Sequence, residues 1–361
     1  MAIDASLQGR KAKWKTVNLV KAVLLMVAAV AVVLLVIHIA LPPMWGNPGL
    51  AFKVRKAGEE RYDRVIIGSS HLFRQVDPAL LDSLLHDGFT TFNAGYPSTF
   101  APESELACAR LLEHGEHVPK LILLELTAYQ LLDETKQDNF RSWYYMTPPV
   151  ALAMVHYAWA EAPLEKRNEH VLAALRAGVK SAFLPGLADD LLDGTPADSL
   201  AWLGLHGNGY YSLETEMAST GANVVFAKRK ATFLADTAIL QRRAAALDTF
   251  YRESRVEANA MQVQRLMELS EKAAARGSRL LFVLPPLATV QVPKLLALFR
   301  ALPAAQCIDL CDPAHHPEFY VSRNAFDEGH LNDRGAHLFT SELAGALLQM
   351  GHAGPLDTRS H

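Results

Sequence analysis

Residues 22–41 are apolar apart from a single strongly polar side chain, His38. A helix of that length rises about 30 Å, the thickness of a bilayer's hydrocarbon core. No other stretch restricts the fold as much, because it commits everything after it to one side of a membrane. The span exceeds the apolar region of a cleaved signal, and no convincing small-x-small cleavage site follows it. Arg10, Lys11, Lys13, Lys15 and Lys21 precede it, and Lys53, Arg55 and Lys56 lie beyond its other end. This bias predicts a basic cytoplasmic tail over 1–21 and a signal anchor over 22–41 in the inner membrane. The bulk of the chain is then extracytoplasmic. The alternative, a long buried core helix, fits neither the position nor the cationic flank. Pro42-Pro43-Met44-Trp45-Gly46-Asn47-Pro48 ends the span, with Trp45 at the interface. Residues 42–60 read as a short basic linker.

The 361 residues suffice for one large domain with an insertion, or for two small ones. Half are apolar, which suits a packed core. The formal net charge is −3 with no long run of one sign, which argues against a nucleic-acid partner. There is no internal repeat or low-complexity tract. Cys307 and Cys311 flank Ile308-Asp309-Leu310, which reads as a strand. Four residues of strand span roughly 13 Å, whereas a disulfide needs Cα atoms within about 7 Å. Cys108 falls in a helical pattern and reads as core. Cys307, Cys311, His315 and His316 match the spacing of no common zinc site. No metal or cofactor is expected.

Beyond the linker, strands are predicted at 64–68, 90–93 and 120–126, the last a continuous apolar run broken only by Glu125. Asp77-Pro78 starts a helix to about His86, since aspartate caps and proline suits a first turn. A second helix covers 102–114, with Leu106, Ala109 and Leu112 on its apolar face. Strand and helix alternating at short spacing predict an α/β fold with a parallel sheet. The alternation stops over about 131–255, a mainly helical insertion or cap. Its loops lie at Pro148-Pro149, Pro185-Gly186, Gly194-Thr195-Pro196 and 204–209. It resumes with a helix at 256–276, a strand at 279–284, a helix at 291–301, a strand at 307–311 and a last helix over 333–350. The domain thus spans 61–350, and 351–361 is a tail.

Gly68-Ser69-Ser70 follows the run Arg64-Val65-Ile66-Ile67. A buried strand ending at small residues leaves a hydroxyl at the carboxyl edge of the sheet, where open α/β sheets place their chemistry. A serine needs a base, and the base an orienting group. Both stand in Phe326-Asp327-Glu328-Gly329-His330-Leu331-Asn332-Asp333-Arg334-Gly335, where one tight turn can carry Asp327 and His330. Brought to the same edge, Ser70, His330 and Asp327 make a triad. An α/β-hydrolase elbow needs Gly-x-Ser-x-Gly, and His71-Leu72 after Ser70 disfavours that fold.

These blocks resemble the SGNH (GDSL-like) hydrolase family over roughly 60–130 and 256–350. Gly68-Ser69-Ser70 stands where that family has Gly-Asp-Ser, with serine for the middle aspartate. Gly95 stands at its oxyanion-hole glycine. Asp327-Glu328-Gly329-His330 matches its Asp-x-x-His block, and Leu331-Asn332 with Gly335 extends the match. The third block departs: the family has Gly-x-Asn-Asp, whereas here the strand ends Leu124-Glu125-Leu126-Thr127-Ala128-Tyr129, without the asparagine. With one amino-terminal anchor, the chain is more similar to the membrane-anchored branch that works beside membrane-bound O-acyltransferases. That branch includes the proteins of D-alanyl-lipoteichoic acid transfer and of exopolysaccharide acetylation.

The resemblance implies a three-layer parallel-sheet fold and an acyl group handed to, or removed from, an extracytoplasmic polymer. Ser70 would attack the acyl carbon, His330 would take and return the proton, and Asp327 would set the imidazole tautomer. The N–H groups of Ser70 and Gly95 would receive the oxyanion, each worth roughly 3 kcal/mol. The expected partners are a membrane-bound O-acyltransferase, a polysaccharide or other surface polymer, and the bilayer. Several readings stay open. Ser69 is an alternative nucleophile. His71, beside the serine, points away from it or serves the site. Glu125 is a paired core carboxylate or an active-site group. Trp143-Tyr144-Tyr145 is a sugar platform or part of the core, and Asn208-Gly209-Tyr210-Tyr211 a turn or a pocket rim. Two other functions remain: a non-catalytic assembly or polymer-binding partner of the acyltransferase, and a lipase or thioesterase with a large apolar pocket.

Overall fold

A computed structural model describes residues 2–40, 44–132, 140–183, 202–219, 223–287 and 291–351. The expected turns at Pro42-Pro43, Pro185-Gly186 and Gly194-Thr195-Pro196, and the tail beyond Gly351, lie outside the described residues.

Five strands form, β1 (Arg64–Ile67), β2 (Thr91–Asn93), β3 (Leu121–Glu125), β4 (Arg279–Leu284) and β5 (Cys307–Asp309). All neighbours are parallel, in the order β2-β1-β3-β4-β5. Ile66 stands opposite Asn93 on one side and Leu123 on the other, and Leu124 opposite Phe282. Every residue of β1, β2 and β3 is buried, so both faces of the sheet are covered, as continuous apolar runs require. The chain moves outward from β1 to β2, then crosses back to β3 and proceeds the other way. That direction reverses between β1 and β3, and open α/β sheets place their ligands at the carboxyl ends of strands at such a point.

The first helices are α1 (Ala2–Ala40), α2 (Pro48–Glu59), α3 (Ser70–Gln75), α4 (Pro78–Leu85) and α5 (Glu103–His114). The insertion contributes α6 (Phe140–Tyr145), α7 (Pro148–Glu161), α8 (Arg167–Phe183), α9 (Leu213–Ser219), α10 (Asn223–Ala235) and α11 (Ala238–Glu253). Then come α12 (Ala260–Ala275), α13 (Val292–Ala301) and α14 (Asp333–Gln349). Two groups of helices flank the sheet. One is α2, α5 and α12, and the other α3, α4 and α14.

Helix α1 is one continuous rod through the basic tail and the apolar span. Its stretch Asn18–Ile37 has a mean hydropathy of 3.0 and none of it is buried. By length and composition it can cross a membrane.

Within the expected linker, Pro48–Glu59 is the helix α2. Asn47 accepts from Leu50 N at 3.3 Å, Pro48 fills the first turn, and Leu50, Val54 and Ala57 enter the core at helical spacing. The basic residues between them mask that period. One of these, Lys53, is wholly buried. Its Nζ donates to the carbonyls of Gly95 at 2.7 Å and Gly209 at 2.9 Å and sits 4.0 Å above the Phe73 ring. Burial, and the nearby Arg74 cation, push its pKa well below that of an ordinary lysine.

The second acceptor belongs to the insertion. The 204–209 loop lies along the edge strand, where Asn93 N donates to Asn208 O at 2.9 Å. Gly209 has φ +86°, and a Cβ there would fall 2.0 Å from Asn93 O. Asn208-Gly209 is therefore a turn that closes on β2. Gly209→Ala adds a collision to the roughly 1–2 kcal/mol cost of left-handed backbone. Gly207 also has positive φ but nothing within 4 Å of its Cβ position. Chemical denaturation of the full chain in detergent should show a clearly larger stability loss for Gly209→Ala than for Gly207→Ala. Equal losses would contradict this packing.

Candidate active site

Strand β1 ends beside β3, and Gly68 lets them close. A Cβ on Gly68 would lie 2.6 Å from Glu125 Oε2. The carboxylate at the end of β3 instead meets the next residue. Ser69 N donates to Glu125 Oε2 at 2.6 Å, and Ser69 Oγ donates to Oε1 at 2.7 Å. Ser69 is fully buried and caps α3 by accepting from His71 N at 3.2 Å. Hydrogen bonds to a charged group are worth about 1.5–3 kcal/mol each. Glu125 therefore pins the start of α3 and with it the next residue, Ser70. The hydroxyl of Ser69 is occupied within this cluster. That of Ser70 is partly exposed, at the first helical position.

The Asp-Glu-Gly-His turn closes on that hydroxyl. His330 Nε2 lies 2.9 Å from Ser70 Oγ, and its Nδ1 lies 3.0 Å from Asp327 Oδ1. With Nδ1 protonated toward Asp327, Nε2 is free to accept from the serine. Gly329 N donates to Asp327 Oδ1 at 2.8 Å. The turn is held by Phe326 N donating to His330 O at 2.8 Å, and Asn332 then caps α14 by accepting from Gly335 N at 2.9 Å. Asn332 and Gly335, which trail the Asp-x-x-His block, thus act by starting this helix.

Arg229 of α10 binds Asp327 Oδ2. Its Nη2 also lies 3.3 Å from His330 Nδ1. Both nitrogens carry hydrogens in this tautomer, so the second contact is a nearby cation rather than a hydrogen bond. Arg243 of α11 binds the Glu328 carbonyl and carboxylate. The insertion therefore clamps the Asp-Glu-Gly-His turn from outside. Burial would raise the pKa of Asp327, but the His330 hydrogen bond and charge, Arg229 and Gly329 N outweigh it and hold the carboxyl at about 2. Burial lowers that of His330; Asp327 pulls it up, and His71 and Arg229 push it down, leaving it below the ordinary histidine value. At neutral pH the imidazole is in its base form.

The remaining candidates fall in three places. His71 and Glu125 adjoin the triad: His71 Nδ1 lies 3.1 Å from Ser69 Oγ and 3.2 Å from Glu125 Oε1. The His71 ring stacks on that of His330, with centroids 5.5 Å apart. Gly95 departs from its expected role, because its N–H donates to Asn93 Oδ1 at 3.0 Å and is not free for an oxyanion. Asn93 ends β2, and its amide also donates to Leu72 and Val76 carbonyls, so it ties α3 to the sheet. Ser70 N, in the first turn of α3, has no partner among the described residues and remains available. Trp143 lies in α6 with Lys180 Nζ 5.4 Å from its ring, and Tyr144 donates to the buried Glu103. Tyr144 is buried in that cluster and Trp143 is half-buried.

The groups missed from the sequence are Arg229, Asn93 and Lys53. Lys228-Arg229-Lys230 looks like any solvated run on an amphipathic helix. The chemistry open to this site is nucleophilic attack by an activated serine, with one backbone donor for the developing charge.

Replacing Arg229 removes a cation from both Asp327 and His330. The histidine titration midpoint, followed by imidazole NMR in the full chain, should rise in Arg229→Gln. A midpoint unchanged or lowered would contradict the electrostatic assignment. No protein-family model matches this chain and no curated protein matches it, so the functional reading rests on the geometry above.

Proposed function

We propose that the chain is a membrane-anchored serine acyl esterase or O-acyltransferase of the SGNH type. It acts outside the cytoplasm on a polysaccharide or similar surface polymer, beside a membrane-bound O-acyltransferase. The observation that carries this reading is the line Ser70 Oγ, His330 Nε2 and Nδ1, Asp327 Oδ1, with separations of 2.9 and 3.0 Å. The five-stranded parallel sheet, the reversal between β1 and β3, and the span Asn18–Ile37 as an anchor support it. The amino terminus is read as cytoplasmic from the lysines and arginines before the span.

In this reading Ser70 Oγ attacks the acyl carbonyl carbon and its proton passes to His330 Nε2. Asp327 stabilises the imidazolium through Nδ1–H. Ser70 N–H receives the oxyanion. Collapse of the intermediate returns the proton to the leaving oxygen and leaves an ester on Ser70. Water or a polymer hydroxyl, deprotonated by His330, then takes the acyl group. Glu125 and Ser69 position the nucleophile and do not react.

One observation favours the second reading, a non-catalytic assembly or polymer-binding partner. The N–H of Gly95 is already bonded and the third-strand asparagine is absent, so an oxyanion would find fewer donors than the family provides. A lipase or thioesterase would want a large apolar pocket at Ser70. Cavities of about 230 and 620 Å³ are lined around Glu103 and Arg141 and around Tyr251 and Asp309, and neither includes Ser70 or His330.

Loss of any triad member costs nearly the whole catalytic effect, because the members act as a unit. The purified full chain should release acetate from p-nitrophenyl acetate. Ser70→Ala and His330→Ala should each abolish this. Ser69→Ala should stay active while losing stability, as its hydroxyl serves Glu125 and the α3 cap. In cells, acylation of the surface polymer should fail with Ser70→Ala although the protein accumulates. Normal acylation there would leave only the scaffold reading.

A further inference from the structure

We infer that the outer face of the α7–α8 hairpin rests on the bilayer surface, turning the Ser70 edge of the sheet toward the membrane. This rests on α1 being a membrane anchor. Helix α8 buries Ala173, Ala174 and Ser181 on one side. Directly opposite, Leu172, Leu175, Val179 and Phe183 recur at three- and four-residue spacing, and each is at least half exposed. A helix on a water-facing surface carries polar groups there. Helix α7 repeats the pattern, with Leu152 and Trp159 seven residues apart and exposed on the side away from Met154 and Tyr157. Leu164, in the turn between them, is 77% exposed. Apolar side chains along two packed helices and their turn form a patch too extended for the usual scatter of surface leucines.

The hairpin's position names what covers it. Helix α6 packs on α8, and Tyr144 of α6 meets Trp45 edge to face at 6.3 Å. Trp45 follows the last residue of α1, Ala40, by five positions, a reach of at most about 18 Å. The root of the hairpin is therefore tethered beside the point where the span leaves the hydrocarbon. The patch also carries interface chemistry. The Arg167 guanidinium lies 5.4 Å from the Trp159 ring. Tryptophan with an adjacent cation suits the headgroup region, where the cation reaches phosphates while the apolar stem stays below. A hairpin with an exposed apolar face and such a cation lies in the plane of that interface.

The same attachment sets the direction of the site. Helix α2 begins at the carboxyl edge of the sheet, where Asn47 donates to Glu103 at 2.9 Å, at the start of α5. Its Lys53 holds Gly95, just past the end of β2, and Ser70 stands at the end of β1 on that same edge. Anchor, hairpin and Ser70 hydroxyl thus share one end of the domain. The acyl group would be received, or the polymer met, at the membrane face rather than in open solution.

The test uses the unmodified full chain in nanodiscs of phosphatidylcholine and phosphatidylglycerol. A fraction of the lipid carries a diazirine near the glycerol end of the acyl chain, and adducts are mapped by peptide mass spectrometry. The expected result is adducts on α1 and on the 164–183 peptides, with none around the exposed Leu348 of α14. In the variant Leu172→Glu/Leu175→Glu/Val179→Glu most hairpin adducts should vanish while those on α1 persist. Adducts on α1 alone would overturn the inference and leave the anchor standing. A protein partner, or a second copy covering the hairpin, would give that outcome. No adducts on α1 would overturn both.

Discussion

The hydrogen bond between Ser70 and His330 joins residues 260 positions apart, and the rest of the domain is arranged so that it can form. Ser70 is placed from one side by β1, by Gly68 against β3 and by the Glu125–Ser69 cluster that starts α3. His330 is placed from the other by a turn that runs into α14. Helix α14 packs on α3 and α4, where Thr340 Oγ1 accepts from Asp77 N at 3.1 Å and donates to Gln75 O at 3.3 Å or to Ala336 O at 2.9 Å. The two halves of the site are thus carried on helices that touch each other. An error in sheet register or in the α14 cap would separate them, and no local interaction could restore the distance.

The charges near the site follow from that placement. Asp327 is buried and would be costly alone, but it is met by His330, Gly329 N and Arg229. Glu125 is met by Ser69 twice and by His71. Lys53 is the exception in kind, a buried cation answered by two carbonyls and an aromatic face rather than by a carboxylate. It joins helix α2, the loop after β2 and the insertion loop at one atom. The insertion is then part of the site's frame. Its Gly209 loop closes on the edge strand, and its α10 and α11 arginines hold the Asp-Glu-Gly-His turn.

Strands β1, β3 and β4 were legible as largely apolar runs between turn residues, β2 and β5 from their place in the alternation with helices, which also gives the parallel arrangement. The triad was legible because its parts stand at strand or helix ends, where position predicts exposure. Helix α2 was hidden by Lys53, Arg55 and Lys56, which interrupt the apolar period although Lys53 itself is buried. Helix α3 was hidden because six residues beginning Ser-His show too little periodicity. Gly95 was placed correctly after β2, but the Asn93 side chain that takes its N–H depends on a two-residue backbone turn. Arg229 reaches Asp327 across 98 positions, a tertiary contact that no local pattern reports.

The account stands or falls on whether the Ser70 hydroxyl is activated by His330. A fluorophosphonate reacts preferentially with such an activated serine and needs neither the natural acyl donor nor the acceptor polymer. Incubating the full chain with the reagent and sequencing the modified peptide by mass spectrometry therefore tests it most directly. The account predicts one phosphonyl group per chain on Ser70, lost in His330→Ala. No labelling of the folded protein, labelling on Ser69, or labelling that persists in His330→Ala would contradict it.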